Sequence, residues 1–138
     1  MLVSKPILRL PDLDRPFVLR TDASDRAFGA VFLQQYEDGI FPVAYASRKL
    51  LEREQRYSTM EKECLAIVWA VRKFMVYLFG KPFVLQTDHQ PLAYLQQSKY
   101  ANDRIMRWAL FLQPYRIQIE AIKGSQNVGA DYMSRLSV

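Results

Sequence analysis

Three consecutive strand-like segments occupy the first third of the chain, and this run constrains the fold more than any other feature. Their ranges are 16–22, 27–36 and 40–48. Asp38-Gly39 is a hairpin signal, and Pro42 predicts an edge strand, because proline donates no backbone hydrogen bond. Alternation in the first segment predicts two faces, with Phe17, Leu19 and Thr21 on one and Val18, Arg20 and Asp22 on the other. The run therefore predicts an antiparallel meander of three strands.

A strong helical pattern follows the meander. Ser58 and Glu61 have the spacing of a capping box, in which each side chain accepts a hydrogen bond from the other residue's backbone N–H. Apolar residues then recur at helical spacing, at Cys64, Ile67, Val68, Val71, Met75 and Leu78. Gly80 and Pro82 end the pattern. We predict one continuous helix that buries its apolar face.

The remaining residues predict two more strands and three short helices. The strands cover 82–88 and 116–123, and the helices cover 90–97, 102–113 and 128–136. Pro91 suits a first helical turn, and Asn102 or Asp103 suits an N-cap. A meander followed by a helix and further strands predicts an α/β fold, with a five-stranded mixed sheet and helices on both faces.

Composition limits the classes of protein to which this chain can belong. A chain of 138 residues, half of them hydrophobic, fits one folded domain. Prolines and aspartates near the start predict a connecting segment over 1–15, which would join an upstream region to a domain over 16–138. No apolar run reaches the roughly 18 residues of a membrane helix, and the start has no signal-peptide pattern. Cys64 is the single cysteine, which excludes an internal disulfide and suits a reducing compartment. The net charge of +5 favours a polyanionic partner only weakly.

Four carboxylates interrupt apolar or β-favouring stretches. Asp22 and Asp88 end the first and fourth predicted strands, Glu63 lies early in the long helix, and Asp131 lies in the last helix. Carboxylates close to a core repel one another unless divalent metal supplies charge, and Mg²⁺ prefers oxygen ligands. Each also has an ordinary structural interpretation, as a turn former, a helix N-terminal acid or a surface acid. The pattern alone does not show that the four meet in space.

Several motifs occur in an order that identifies a family. They are TDAS (21–24), AYASRKL (44–50), YSTMEKECLAIVWAVRKFMVYLFG (57–80), FVLQTDHQPL (83–92) and KGSQNVGADYMSRL (123–136). Over residues 6–136 the chain closely resembles the ribonuclease H domain of Ty3/gypsy-type retroelement reverse transcriptases. The resemblance implies a ribonuclease H-like fold and a metal-dependent endonuclease that hydrolyses the RNA strand of RNA–DNA hybrids during reverse transcription. It also implies, as a partner, the polymerase region of the same polyprotein, and a location in a cytoplasmic virus-like particle or the nucleus, not secretion.

The resemblance also assigns a catalytic and metal-binding quartet. It maps onto Asp22, Glu63, Asp88 and Asp131, which would hold two Mg²⁺ ions that Mn²⁺ can replace. Asp22 would bridge both ions, Glu63 and Asp88 would complete one site, and Asp131 the other. Glu63 is preferred to Glu61 because it directly precedes the CLAI segment of the helix, whereas Glu61 is the capping-box partner. Hydrolysis would leave a 3′ hydroxyl and a 5′ phosphate.

Substrate contacts are predicted around this quartet. The candidates are Ala23, Ser24, Arg48, His89, Arg107, Lys123 and Asn127, with backbone groups at Ala23 and Ser24 facing the RNA 2′-hydroxyls. Two departures from related ribonucleases H matter. The loop over 123–129 has no histidine, and no basic helix lies between Asp88 and residue 102, so the grip on the substrate must come from elsewhere.

Two other classes of protein fit the same pattern less well. One is a nuclease fold that has lost catalysis and serves as a nucleic-acid-binding or dimerisation module, although no quartet member is missing. The other is an integrase- or resolvase-like nuclease, which the early position of Glu63 disfavours. A polymerase role is unsupported, because the chain has no tyrosine-x-aspartate-aspartate motif.

Overall fold

The fold is built on one mixed sheet of five strands. The computed structural model describes residues 10–87, 90–98 and 100–121. The strands are β1 (Phe17–Ala23), β2 (Ala27–Tyr36), β3 (Gly39–Lys49), β4 (Phe83–Thr87) and β5 (Ile117–Ala121). Their order is β3-β2-β1-β4-β5. The first three strands pair antiparallel, whereas β4 pairs parallel with both β1 and β5. The predicted five-stranded mixed sheet is confirmed.

The hairpin between β2 and β3 follows the sequence prediction. Tyr36 pairs with Gly39, whose φ of 137° lies in a region that L side chains rarely adopt. Pro42 lies on β3, which is an edge strand, so its missing N–H interrupts no internal ladder. The register shifts between Phe32 and Leu33, opposite this part of β3. The predicted edge position is confirmed.

The long helix begins as predicted but ends earlier. Its capping box forms, since Ser58 Oγ accepts the Glu61 N–H at 3.1 Å and the Glu61 carboxylate accepts the Ser58 N–H at 3.0 Å. The helix α1 (Thr59–Lys73) then stops, and a separate turn, α2 (Met75–Leu78), follows. The prediction of one continuous helix was wrong. Phe74 leaves helical geometry, at φ −110° and ψ 21°, and its ring stacks on Phe32 with centroids 4.6 Å apart.

Two further helices cross the same face of the sheet. They are α3 (Pro91–Ser98) and α4 (Asp103–Leu112), and Asn102 caps α4 by accepting the Ile105 N–H at 2.9 Å. The predicted helix over 128–136 lies outside the described residues. Among the helices that are described, none is long and apolar enough to cross a membrane.

The main core lies between the sheet and these helices. Phe17, Leu19 and Phe32 from the sheet join Ile67 and Leu78 from α1 and α2 in this core. A smaller cluster on the opposite face consists of Val18, Val31 and Leu33. The predicted division of β1 into two faces is therefore confirmed.

The segment before β1 is attached to the sheet. Gln34 is fully buried, accepts the Asp12 N–H at 2.9 Å and donates to the Arg15 carbonyl at 3.1 Å. The Tyr36 hydroxyl donates to the Leu10 carbonyl at 3.1 Å. Contacts with the domain thus begin before position 16, and the boundary between 1–15 and 16–138 stays a prediction.

Candidate active site

Asp22 lies on a strand that ends at the same edge of the sheet as β4, the strand that precedes Asp88 in the sequence. Asp22 is half-buried near the end of β1, opposite Gly29 of β2. Arg20 of β1 pairs with Gln86 of β4, and because the two strands are parallel they run toward one edge. We call this edge, where β1, β3 and β4 end, the carboxyl edge. Asp88 follows β4 in the sequence, but it lies outside the described residues, as does Asp131.

Glu63 and Glu61 have different environments, which separates their roles. Glu63 is 8% exposed on α1. Glu61 forms the capping box and also pairs with Arg104 Nη2 at 2.6 Å. Burial alone would raise the pKa of Glu61, but hydrogen bonds from Ser58 and Arg104 outweigh it and hold that pKa below its ordinary value. Glu61 therefore has a structural role, in the capping box and in the ion pair with Arg104. This role supports the choice of Glu63 as the catalytic glutamate.

The beginning of α1 is held against the turn that follows Asp22. Lys62 Nζ lies 3.4 Å from the Asp25 carbonyl and 3.9 Å from its carboxylate. Within that turn, Ser24 donates its N–H to the Ala27 carbonyl at 2.8 Å and its hydroxyl accepts the Ala27 N–H at 3.1 Å. The helix that carries Glu63 and the strand that carries Asp22 are thus joined at their ends.

These turn contacts bear on the predicted recognition of 2′-hydroxyls. The Ser24 N–H is already bonded inside the turn, so it is not a spare donor. Ala23 is half-buried and the Ser24 side chain is exposed. Contact between Ala23 or Ser24 and substrate stays a prediction.

Cys64, the residue after Glu63 on α1, connects this helix to α3. Its thiol is fully buried and donates to the Pro91 carbonyl at 3.4 Å. Burial, with a smaller contribution from the negative charges of Glu63 and Glu61, raises the pKa of Cys64 to about 12. The predicted packing role of Cys64 is confirmed.

Arg48 forms an ion pair within the domain. Its guanidinium donates two hydrogen bonds to the Glu54 carboxylate, each 3.1 Å long, and lies 4.7 Å from the centre of the Phe28 ring. Glu54 belongs to a 3₁₀ helix (Glu54–Arg56) that the sequence pattern did not predict, and it also accepts the Leu51 N–H at 2.7 Å. Burial would raise the pKa of Glu54, but these hydrogen bonds hold it below its ordinary value. A contact of Arg48 with nucleic acid stays a prediction.

The other predicted contact residues are only partly covered by the structure. Arg107 is exposed on α4, whereas its neighbour Trp108 is 9% exposed and packs edge-on against Tyr57 in the core. Three predicted residues lie outside the described ranges, namely His89, Lys123 and Asn127. Within those ranges no group of three or more His, Cys, Asp or Glu side chains could hold a metal, and they contain only two of the four predicted ligands.

Comparison with known proteins identifies the family. Residues 12–115 match the family described as "RNase H-like domain found in reverse transcriptase". The chain is 43% identical over its whole length to the retrovirus-related Pol polyprotein from transposon 297 of Drosophila melanogaster, and spans 13% of that protein. It is 40% identical over 98% of its length to the Transposon Tf2-3 polyprotein of Schizosaccharomyces pombe, of which it spans 10%.

Solved structures support the same fold. The foamy viral protease-reverse transcriptase in complex with RNA/DNA hybrid gives a TM-score of 0.72 at 22% identity, over 85% of this chain and 16% of that chain. LC11-RNase H1 in complex with RNA/DNA hybrid gives a TM-score of 0.64 at 14% identity, over 87% of this chain and 94% of that chain. The family match and the sequence relatives together show that this chain belongs to the RNase H-like domains of reverse transcriptases, among those of Ty3/gypsy-like retroelement polyproteins.

Proposed function

We propose that this domain hydrolyses the RNA strand of RNA–DNA hybrids at the carboxyl edge. The observation that carries the proposal is the burial of Glu63 on α1, at the end of the helix that Lys62 holds against the turn after Asp22. A divalent cation would supply positive charge to carboxylates gathered at this edge. The neighbouring acid, Glu61, has a structural role instead, as the capping-box partner and the partner of Arg104.

The donor set fits a hard divalent cation. Asp22 and Glu63 offer carboxylate oxygens, which Mg²⁺ prefers. We propose that Asp22, Glu63, Asp88 and Asp131 hold two Mg²⁺ ions, which Mn²⁺ can replace. When bound, such a pair makes water a nucleophile near neutral pH and stabilises charge on the attacking and leaving oxygens.

The protein's own contribution is to fix its ligands in a rigid frame. β1 lies in the middle of the sheet, between β2 and β4. Asp22 pairs with Gly29 of β2, two residues beyond the last recorded pair of β1 with β4, Arg20 with Gln86. Glu63 lies near the start of a capped helix whose buried face packs on that sheet. Ligands on rigid elements need little reorganisation when charge develops at the scissile phosphate.

The wider setting follows from the relatives. They are named as transposon Pol polyproteins, and the chain spans only 10–14% of the first three and of the Tf2 relatives. We propose that the polymerase region of such a polyprotein adjoins this domain and supplies it with hybrid during reverse transcription. A cytoplasmic virus-like particle, or the nucleus, is the proposed compartment.

A cleavage assay with three substrates tests the proposal. Labelled RNA–DNA hybrid, duplex DNA and duplex RNA are incubated with the chain in Mg²⁺ or in EDTA. Hybrid should be cut only in Mg²⁺, leaving a 3′ hydroxyl on the RNA, and duplex DNA should stay intact because it lacks 2′-hydroxyls. Equal cleavage of DNA and hybrid would refute the assignment. Binding of hybrid without any cleavage would favour the catalytically reduced binding module.

A further inference from the structure

A chain of polar side chains crosses three strands of the sheet. Arg20 on β1 donates from Nε to Gln86 Oε1 on β4 at 2.8 Å. Gln86 in turn donates from Nε2 to Glu120 Oε1 on β5. The backbones follow the same order, since Arg20 pairs with Gln86 and Gln86 pairs with Glu120 in the two parallel strand pairs. We call these three side chains the polar ladder.

The polar ladder lies directly before the carboxyl edge. Arg20 and Gln86 form the last recorded pair between β1 and β4. Asp22 comes two residues after Arg20 on β1, and because side chains alternate along a strand the two share a face. Asp88 comes two residues after Gln86 in the sequence. The polar ladder therefore joins the two strands at the point after which both proposed ligands follow in the chain.

Gln86 is the centre of the polar ladder and its most buried member. It is 6% exposed, whereas Arg20 is half-buried and Glu120 is exposed. Two residues earlier on the same face, Val18 pairs with Val84 in the smaller apolar cluster. A buried amide costs free energy unless it is hydrogen-bonded, and an apolar residue at position 86 would extend that cluster without this cost. Burial alone therefore does not explain the glutamine.

The hydrogen bonds of the polar ladder favour one register of the three strands. A slip of one residue turns every side chain of a strand to the other face, which would separate Arg20 from Gln86. A buried polar network whose members are all hydrogen-bonded makes the structure more rigid and specifies one arrangement. Metal ligands need such support, because a site works only when its ligands are held within about 0.5 Å of the right geometry.

We propose that Gln86 is a positioning residue, which fixes β1 against β4 so that Asp22 is held in place to bind metal at the carboxyl edge. This inference rests on the proposed function. An amide suits the central place in the polar ladder, because it accepts a hydrogen bond from Arg20 and donates one to Glu120 at the same time. Gln86 acts through the two strands and not by contact with the metal.

Binding of Mn²⁺ in the absence of nucleic acid tests this inference apart from hydrolysis. Q86M removes both hydrogen bonds and keeps the net charge and the length of the side chain. The matched control is E120Q, which changes the charge but keeps a side-chain oxygen that can accept from Gln86. R20M breaks the polar ladder at its other end. Electron paramagnetic resonance measures free Mn²⁺, urea unfolding in EDTA measures the stability of each variant, and D22N identifies the binding that belongs to the carboxyl edge.

The expected result is weaker binding of Mn²⁺ without a matching loss of stability. Q86M should bind Mn²⁺ about tenfold more weakly than the parent, at the lower end of the range for groups that orient metal ligands. E120Q should bind as the parent does, because the charge of the exposed Glu120 is screened by solvent and salt. R20M should also bind more weakly, although the loss of a cation would by itself strengthen binding of Mn²⁺.

Three results would overturn the positioning role. They are parent affinity for Mn²⁺ in Q86M, whatever its stability, an equal loss of affinity in E120Q, and tighter binding by R20M. If Q86M fails to fold, the direction of the change in R20M decides. A parent that binds no Mn²⁺, or that binds it no better than D22N does, would refute the metal site of the proposed function and with it any positioning of that site.

Discussion

Replacing Glu54 by Gln should weaken the fold through one buried interaction. The Glu54 side chain is 6% exposed, and its partner Arg48 is 32% exposed. Removing one partner of a fully buried pair costs about 3–5 kcal/mol, whereas exposed pairs contribute about 0–1 kcal/mol. This pair is intermediate, and glutamine keeps one acceptor for the Leu51 N–H. We therefore expect the free energy of unfolding to fall by about 1.5 kcal/mol near pH 7, between those two limits.

The pH dependence of this loss identifies its cause. Folding lowers the pKa of Glu54 below its ordinary value of 4.5, so the folded state favours the carboxylate. Its contribution is fully present above that value and is lost as the pH falls through the folded pKa. Urea unfolding of parent and E54Q should therefore give a stability difference that shrinks in acid. The variant R48Q and the double variant R48Q/E54Q complete the cycle and isolate the pairwise coupling. Equal stability of parent and E54Q near neutral pH, or a difference that persists unchanged in acid, would mean that the Glu54 carboxylate does not stabilise the fold.

Three further outcomes follow from the packing. E61Q should lose about 1 kcal/mol of stability through its cap and its pair with Arg104 while cleavage persists, whereas E63Q should lose cleavage. Urea unfolding measures the stability and a hybrid-cleavage assay the activity, and the opposite pattern would make Glu61 the catalytic glutamate. Cys64, with a pKa near 12, should resist alkylation in the folded protein at mildly alkaline pH and react only on unfolding; rapid native labelling would contradict its burial. Phe32 is fully buried in an aromatic stack, so F32A should cost about 3–5 kcal/mol in urea unfolding; a loss below about 1 kcal/mol would contradict the packing.

Local sequence patterns predicted the structural features that depend on residues close together in the chain. Alternation in β1 gave the two faces, the spacing of Ser58 and Glu61 gave the cap, and Pro42 gave the edge strand. Each depends on chemistry within a few residues of the chain. The capping box likewise predicted a structural role for Glu61, which its pair with Arg104 supports. The catalytic role of Glu63, which also rests on the family resemblance, stays a prediction.

Sequence patterns did not predict the features that depend on contacts between distant residues. At the break between α1 and α2, the Phe74 ring stacks on Phe32 of β2. Helical periodicity contains no information about this distant contact. The 3₁₀ helix depends on Glu54, whose burial is compensated by Arg48 six residues earlier, a spacing typical of neither helix nor strand. The role of Lys62 in joining α1 to the turn at Asp25 is likewise a long-range contact.

The proposed nuclease depends on the carboxylates of Asp22, Glu63, Asp88 and Asp131. Single-turnover cleavage of RNA–DNA hybrid in Mg²⁺ by the parent, D22N and D88N shows whether two of these charges are needed, with hybrid binding measured in parallel. Each asparagine keeps the shape of the side chain and removes its charge. We expect cleavage by both variants to fall by at least about a hundredfold, because charge stabilisation and metal positioning supply most of the catalysis, while binding of hybrid survives. Unchanged cleavage in both variants would mean that the quartet does not drive hydrolysis.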